Sequence, residues 1–344
     1  MAASTSPGRP PDARPLRPLL VANYDVVLGG GEVGLEMLVE GLLARGHRPT
    51  LAVPGSRTLF GRCPEQPIPG ALSQMALALR ALARDHDLVH VYSVRAGLGA
   101  ALARTGRPLL LHVLTPEPGE YDAVVAPFAD AILCNSYATA DRFAPGSVRV
   151  VYNGVRAPRQ TGARLGTDPD RRTVGVIGNI CPRKGQLDVL PALERVMACR
   201  DDVDVVFVGY ATGAIAAELR DRARASSGRI RVLGFVPGVA DLLGELDLVL
   251  VPSRSEGFGR VAVESLRAGT PVLATRTGGL VEALADLDDP WLPDEVHHWP
   301  DRILGELDEP SHTPEELRAA GRRFDPQRHL DTVIAVYREL TPCR

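Results

Sequence analysis

The sequence predicts an α/β protein of two doubly wound, Rossmann-like domains, and three observations carry that reading. Short apolar runs alternate with segments of helical period, the pattern of βα units stacked on parallel sheets. The alternation occurs twice, on either side of a polar stretch from Arg156 to Arg171 that bears Pro and Gly and has no periodicity. At 344 residues, 45% of them hydrophobic, the chain can fill two cores of ordinary size.

In the first half, strands are predicted at 18–24 (PLLVANY), 49–53, 88–92 (LVHVY), 109–113 (LLLHV), 131–135 (AILCN) and 148–152 (VRVVY). Between them fall helices from about Glu32 to Arg45, at 71–84, near 96–104 and after Ala138. The second half repeats the plan, with strands at 173–178, 203–209, 230–235, 246–251 and 271–275. Its helices run from about Gly185 to Ala198, over 212–225, briefly over 239–244, and from near Arg260. A last amphipathic segment, 324–340, predicts a terminal helix. The expected division is a disordered tail over 1–15, a first domain over 16–160, a second over 170–323 and the terminal segment over 324–344.

Net charge is −3, which gives no reason to expect a nucleic-acid partner, and no run of about 18 apolar residues suggests a membrane span. The first residues, MAASTSPGRPPDARP, lack the apolar core of a secretory signal, so a cytoplasmic protein is expected. Five cysteines, odd in number and scattered without a C-x-x-C pair, argue against a disulfide framework or zinc. Of 39 basic residues only Lys184 is a lysine. A phosphate pocket with room for a compact ammonium but not a planar fork would keep that one exception.

The most telling stretch is PSRSEGFGRVAVESLRAGTPV, Pro252 to Val272. It sets two carboxylates, Glu256 and Glu264, around a Gly-Phe-Gly turn that opens a helix. Gly257 and Gly259 let the backbone approach a ligand, and a helix beginning near Arg260 directs its unpaired amides and dipole at an anion. Glu256 can accept hydrogen bonds from a hexose, and Glu264, one turn into the helix, from a ribose.

This E-x7-E block resembles the signature of the retaining glycosyltransferases of family 4, which have the GT-B fold. The resemblance implies two such domains facing a cleft, a terminal helix crossing back to the first, and a donor held by Gly257, Phe258, Gly259, Arg260, Val261 and the two glutamates. Other segments are similar to the same family. LGGGEVGLEMLVEGLLARGH (28–47) has Gly29, Gly31 and Gly34 in G-x-G-x-x-G spacing, which by itself would fit a dinucleotide fold. The second strand, however, ends in VPGS without the acidic residue such a site wants, and the segment resembles the GG-x-E loop whose amides, here Gly30 and Gly31, approach a diphosphate.

GNICPRKGQLDVL (178–190) puts Lys184 at a strand-to-helix junction. The family pattern pairs that lysine with an arginine five residues earlier, where this chain has Asn179. Arg183 either substitutes for it or faces solvent. His112 matches a family histidine beside the donor hexose, although a lone strand-end histidine is equally a satisfied core residue. His90 reads as structural, and the backbone near Phe235, Val236 and Pro237 matches the stretch that reads the nucleobase.

The resulting expectation is a retaining, metal-independent hexosyltransferase that uses an NDP-sugar, most naturally UDP-linked, as co-substrate and has no other cofactor. Lys184, Glu256 and His112 are the expected catalytic residues, and a small polar acceptor, such as an aminocyclitol in secondary-metabolite (antibiotic) biosynthesis, is the expected partner. A GT-B epimerase and a non-catalytic sugar-nucleotide-binding protein are the alternatives.

Overall fold

The computed structural model describes residues 14–22, 29–55, 58–119, 122–144, 146, 148–161 and 164–342. Most of the expected tail, the end of the first predicted strand, and the residues between that strand and Gly29 lie outside the described residues.

Seven strands, β1 (Pro18–Val21), β2 (Thr50–Pro54), β3 (Glu65–Ile68), β4 (Leu88–Val91), β5 (Leu109–Val113), β6 (Ala131–Cys134) and β7 (Val148–Val150), form one sheet in the order β3-β2-β1-β4-β5-β6-β7. Five more, β8 (Arg172–Ile177), β9 (Val203–Val208), β10 (Ile230–Gly234), β11 (Leu248–Val251) and β12 (Val272–Ala274), form a second in the order β10-β9-β8-β11-β12. Every pairing is parallel. The Leu/Val-rich runs suit that arrangement, because strands covered by helices on both faces bury every side chain, as β1, β4, β5, β6 and β11 do. In each sheet the order reverses between the first strand and the fourth, β1/β4 and β8/β11, and the crevice beyond the carboxyl ends at such a point is where ligands bind.

The helices of the first half are α1 (Gly30–Ala44), α2 (Leu72–Ala83), α3 (Val94–Ala103) and two single turns, α4 (Asp122–Val125) and α5 (Tyr137–Ala140). The second half carries α6 (Gln186–Cys199), α7 (Gly213–Ala225), α8 (Arg260–Ala268), α9 (Gly279–Ala283), α10 (Trp299–Asp308), α11 (Pro314–Gly321) and α12 (Pro326–Leu340). In α1, Leu35, Leu38, Val39 and Leu42 are buried, the i, i+3, i+4, i+7 stripe of a helix packed on a sheet.

Three expectations are corrected. β3 (EQPI) was not among the predicted strands, since Pro67 argues against one, yet among the described residues it is an edge strand paired with β2 alone, where a missing N–H costs little. The short helix expected at 239–244 is a pair of 3-10 turns, Val239–Asp241 and Leu243–Glu245. The linker is irregular but tied to the second domain: Leu165 is buried in its core, and the amides of Leu165 and Arg159 donate to Glu245 (3.0 Å) and Asp241 (2.8 Å).

α12 starts at Pro326, with Asp325 accepting from the Gln327 amide at 2.7 Å. Its Leu330, Val333, Ile334 and Tyr337 are buried with Leu20, Leu38, Leu42 and Leu51 of the first domain. Each such side chain contributes about 1.5–3 kcal/mol of burial, so the end of the chain is fastened to its beginning. Among the described residues no helix is long and apolar enough to cross a membrane.

Candidate active site

Glu256 stands in the turn between β11 and α8. Its carboxylate is buried, accepts hydrogen bonds from Lys184 Nζ and from Ser253 Oγ (3.2 Å), and has Arg183 Nη1 4.0 Å from its other oxygen. Its backbone is fixed by the Gly279 amide, which donates to the Glu256 carbonyl at 2.8 Å. Lys184 arrives on a 3-10 turn, Pro182–Lys184, after β8. The following residue, Gly185, has φ 67° and lies so close to the end of β11 that a Cβ would sit 1.9 Å from the Pro252 carbonyl oxygen. Only glycine permits that approach, and the approach brings Lys184 to Glu256.

Arg183 does not simply face solvent. Its Nη1 donates to the Ser255 carbonyl at 2.9 Å, so both cations of the Arg-Lys pair reach the same acidic turn. Asn179 is exposed, and its side-chain nitrogen lies 3.7 Å from where a Cβ on Gly29 would be. It therefore faces the amino end of α1, in the other domain.

Glu264 is buried and paired with Arg260, Nε to Oε1 at 2.8 Å. Burial pushes its carboxyl group up, while Arg260 acts against that. The Arg260 guanidinium spans the cleft, donating to the Gly154 carbonyl (3.1 Å) and touching Met37 Sδ (3.5 Å). Its stem fills the space beside Gly30, where a Cβ would meet Arg260 Cδ at 2.7 Å. Gly259 supplies no side-chain cap to α8, and the first bond back to it comes from Val263. The amides of Arg260, Val261 and Ala262 thus have no acceptor within the helix.

Two donor-site expectations change in kind. Phe258 is 2% exposed and packs with Val155, Val263 and Phe324, its ring centroid 5.2 Å from that of Phe324, so its side chain is core and only its backbone borders the cleft. Gly257 is needed for a close approach, but the approach is by protein: a Cβ would sit 2.0 Å from the Leu114 carbonyl oxygen of the first domain. Val261 and Val236 both pack against the cluster that holds Leu266 of α8, which places the turn after β10 beside the Glu264 helix. Next to it Phe235 is 46% exposed, a free ring at the carboxyl edge of the second sheet.

On the first-domain side, His112 ends β5 and is 2% exposed, with neither ring nitrogen hydrogen-bonded. It stacks on His90 at 5.3 Å between centroids, with Tyr92 at 4.8 Å and His329 of α12 at 6.3 Å. His90 is itself bonded to the Tyr337 hydroxyl (2.6 Å). Burial drives the His112 imidazole down to about 3 and lowers His90 and His329 as well, so all three are neutral near pH 7. His112 opens onto a small cavity lined also by Gly31, Tyr92, Leu114, Asn153 and His329.

Beyond the returning helix, sequence reasoning missed two polar contacts that hold the halves together. Glu282 of α9 accepts from the Tyr137 and Ala138 amides (2.9 and 3.0 Å) and from the Tyr152 hydroxyl (2.9 Å), so a second-domain carboxylate caps a first-domain helix. Ser255 donates to Glu117 across the same cleft (2.5 Å). Glu282 lies in TGGLVEAL (277–284), and nothing in that spacing marks the side chain as reaching another domain.

Comparison with known proteins adds independent findings. Residues 171–305 match the family model described as glycosyl transferases group 1, and residues 28–159 the model for glycosyltransferase family 4. A D-inositol 3-phosphate glycosyltransferase of Segniliparus rotundus is 35% identical over 196 residues, covering 51% of this chain and 42% of the relative. That of Acidothermus cellulolyticus is 31% identical over 274 residues, covering 69% and 60%. The matches thus span less than two thirds of these relatives' own length. Among solved structures, Anabaena HepE in complex with UDP and glucose superposes with a TM-score of 0.79 at 22% identity, covering 93% of this chain and 99% of that one, a likeness of fold.

Proposed function

We propose, from the premise that the chain belongs to the group 1, family 4 glycosyltransferases and has their GT-B fold, that it is a retaining, metal-independent hexosyltransferase using an NDP-sugar. The observation that carries this reading is the convergence at one crevice of Lys184, Arg183 and the uncapped start of α8 with two buried carboxylates. Cations and amides suit the diphosphate, Glu264 the ribose and Glu256 the hexose. As the bond from the anomeric carbon to the phosphate oxygen breaks, negative charge gathers on the diphosphate, and donors already aimed at it lower the barrier. The acceptor oxygen bonds to the same face of that carbon, and its proton passes to the departing phosphate oxygen, so no protein base is required.

UDP is the nucleotide we infer, on family grounds, with a small hydroxylated acceptor. The relatives' names support an inositol-type polyol, in keeping with an aminocyclitol pathway. The test is calorimetric titration with UDP-, GDP- and ADP-sugars, followed by product analysis with and without acceptor. Epimerised donor in place of transfer would favour the GT-B epimerase alternative, and binding without turnover would favour a sugar-nucleotide-binding protein.

A further inference from the structure

We propose that Glu282 is a positioning residue for Glu256: its carboxylate locks the short helix α9 to the first domain, and α9 in turn fixes the turn that carries Glu256. The proposal rests on the glycosyltransferase reading, and it gives Glu282 a part in sugar transfer and none in holding the nucleotide.

One end of α9 is fastened by side chain. One Glu282 oxygen accepts from the Ala138 amide (3.0 Å), the other from the Tyr137 amide and the Tyr152 hydroxyl (2.9 Å each). The first amides of any helix have no acceptor inside it. In α5 the Thr139 amide is taken by Ser136 Oγ at 3.0 Å and the two before it by Glu282, so a second-domain carboxylate completes that first-domain turn. Bonds to an ionised acceptor are the stronger kind, and three converge here. Arg323 braces the same residue from behind, donating to the Glu282 carbonyl and to Asp286 at 2.9 Å each.

The other end is fastened by backbone. The Gly279 amide donates to the Glu256 carbonyl at 2.8 Å, and a Cβ on Gly279 would sit 2.1 Å from the Gly257 carbonyl oxygen, so the start of α9 lies directly against the Glu256–Gly257 peptide. Leu280 is fully buried, and a Cβ on Gly259 would meet its Cδ2 at 2.5 Å. With five residues α9 is about 7.5 Å long, short enough to move as one piece between its two attachments. On its far side the same turn faces the first domain, where Thr139 Oγ1 donates to the Gly257 carbonyl at 3.4 Å and Ser255 donates to Glu117. The position of Glu256 relative to the first domain is thus set through α9, and α9 is set by Glu282.

Nucleotide binding draws on Lys184, Arg183, Glu264 and the start of α8, none of which Glu282 touches. Transfer is more demanding, because the anomeric carbon and the attacking oxygen must be aligned across the cleft, and a displacement of about 1 Å can cost up to about a hundredfold in rate.

Glu282→Gln keeps the size of the side chain but turns an NH2 towards one set of donors, and Tyr152→Phe removes one bond of the three. Calorimetry with free UDP, GDP and ADP should give both variants the native affinity, within about twofold, for whichever the native protein binds. Release of that nucleotide from its hexose donors, with and without myo-inositol and D-inositol 3-phosphate as probe acceptors, should show a fall in kcat of at least about tenfold in E282Q and a smaller one, about threefold, in Y152F. The double variant should lose little more than E282Q alone, since Tyr152 acts through Glu282. Native turnover in E282Q, or a loss of nucleotide affinity in step with the loss of turnover, overturns the proposal. If E282Q does not fold, Y152F decides: lower kcat at native affinity supports the proposal and unchanged kcat overturns it. A native protein that releases no nucleotide from any of these donors overturns the glycosyltransferase reading and the proposal with it.

Discussion

Lys184 and Glu256, 72 positions apart in sequence, meet side chain to side chain in a hydrogen-bonded ion pair at the carboxyl ends of β8 and β11. The only lysine of the chain and the first carboxylate of its most specific motif are thus one unit, both largely buried, with Ser253 and Arg183 as further partners of the carboxylate. The ammonium intended for a diphosphate also positions the carboxylate intended for a hexose.

That coupling sets the first prediction. Lys184→Met leaves Glu256 buried without its main counter-charge, which should cost about 3–5 kcal/mol of stability as well as roughly ten- to hundredfold in rate. Adding Glu256→Gln should restore most of the stability and none of the rate. Denaturant unfolding of the two single variants and the double variant measures the coupling. Strictly additive stabilities would mean the pair is not an energetic unit.

The second prediction separates the two glutamates. Glu264→Gln should weaken free NDP and NDP-sugar alike, because the ribose is common to both. Glu256→Gln should reduce turnover and leave NDP affinity nearly intact. Calorimetry with free NDP decides this, and equal losses in both variants would show the assignment to be wrong.

The parts of the site within one chain segment were legible. The reading put Glu264 about one turn into a helix expected to begin near Arg260, and α8 is there, because both depend on local helix geometry. What was hidden depends on packing between segments distant in sequence. Phe258 reads as a ligand wall in a Gly-Phe-Gly turn, but it points into a cluster closed by Phe324, 66 residues on. Gly257 reads as space for a sugar and instead receives the Leu114 carbonyl. His329 lies on a helix chosen only for its apolar stripe, and its ring becomes chemically meaningful through Tyr152 and His112, which no local pattern connects to it. The alternation of elements predicted parallel βα units in both halves, as the two sheets show, while β3, α10 and α11 were not legible.

The third prediction concerns the arginine replaced by Asn179. Arg183 touches the Ser255 carbonyl and approaches Glu256, so it is placed to supply the second charge of a diphosphate clamp, whereas Asn179 can give only neutral hydrogen bonds. Asn179→Arg should tighten donor binding and make Arg183→Ala less harmful than in the native background. A double-mutant cycle on donor affinity reports this directly. An Arg183→Ala enzyme with native donor affinity would leave Lys184 as the sole cation of the clamp.

The last prediction is a dependence of stability on pH. His90, His112 and His329 all have their imidazoles lowered by burial, His112 to about 3, so they stay neutral in the folded protein at pH values where an unfolded chain would protonate them. For each, the folded state binds fewer protons than the unfolded state below about pH 6.5, and the stability present above that value is lost as pH falls towards the folded pKa. The slope approaches about 1.4 kcal/mol per pH unit for His112, and His90 and His329 add to it with the same sign, so the fold is destabilised on moderate acidification, before most carboxylates titrate. Glu264, raised by burial, works with the opposite sign, losing stability as pH rises through the range just above the ordinary carboxylate value, and so blunts the lower end of the fall. Urea unfolding between pH 7.5 and 5 should show the decline, and His90→Phe, in which an aromatic ring keeps the stack on His112, should make it shallower. A flat profile over that range, or a His90→Phe profile parallel to the native one, would show that the three rings are not held neutral by the fold.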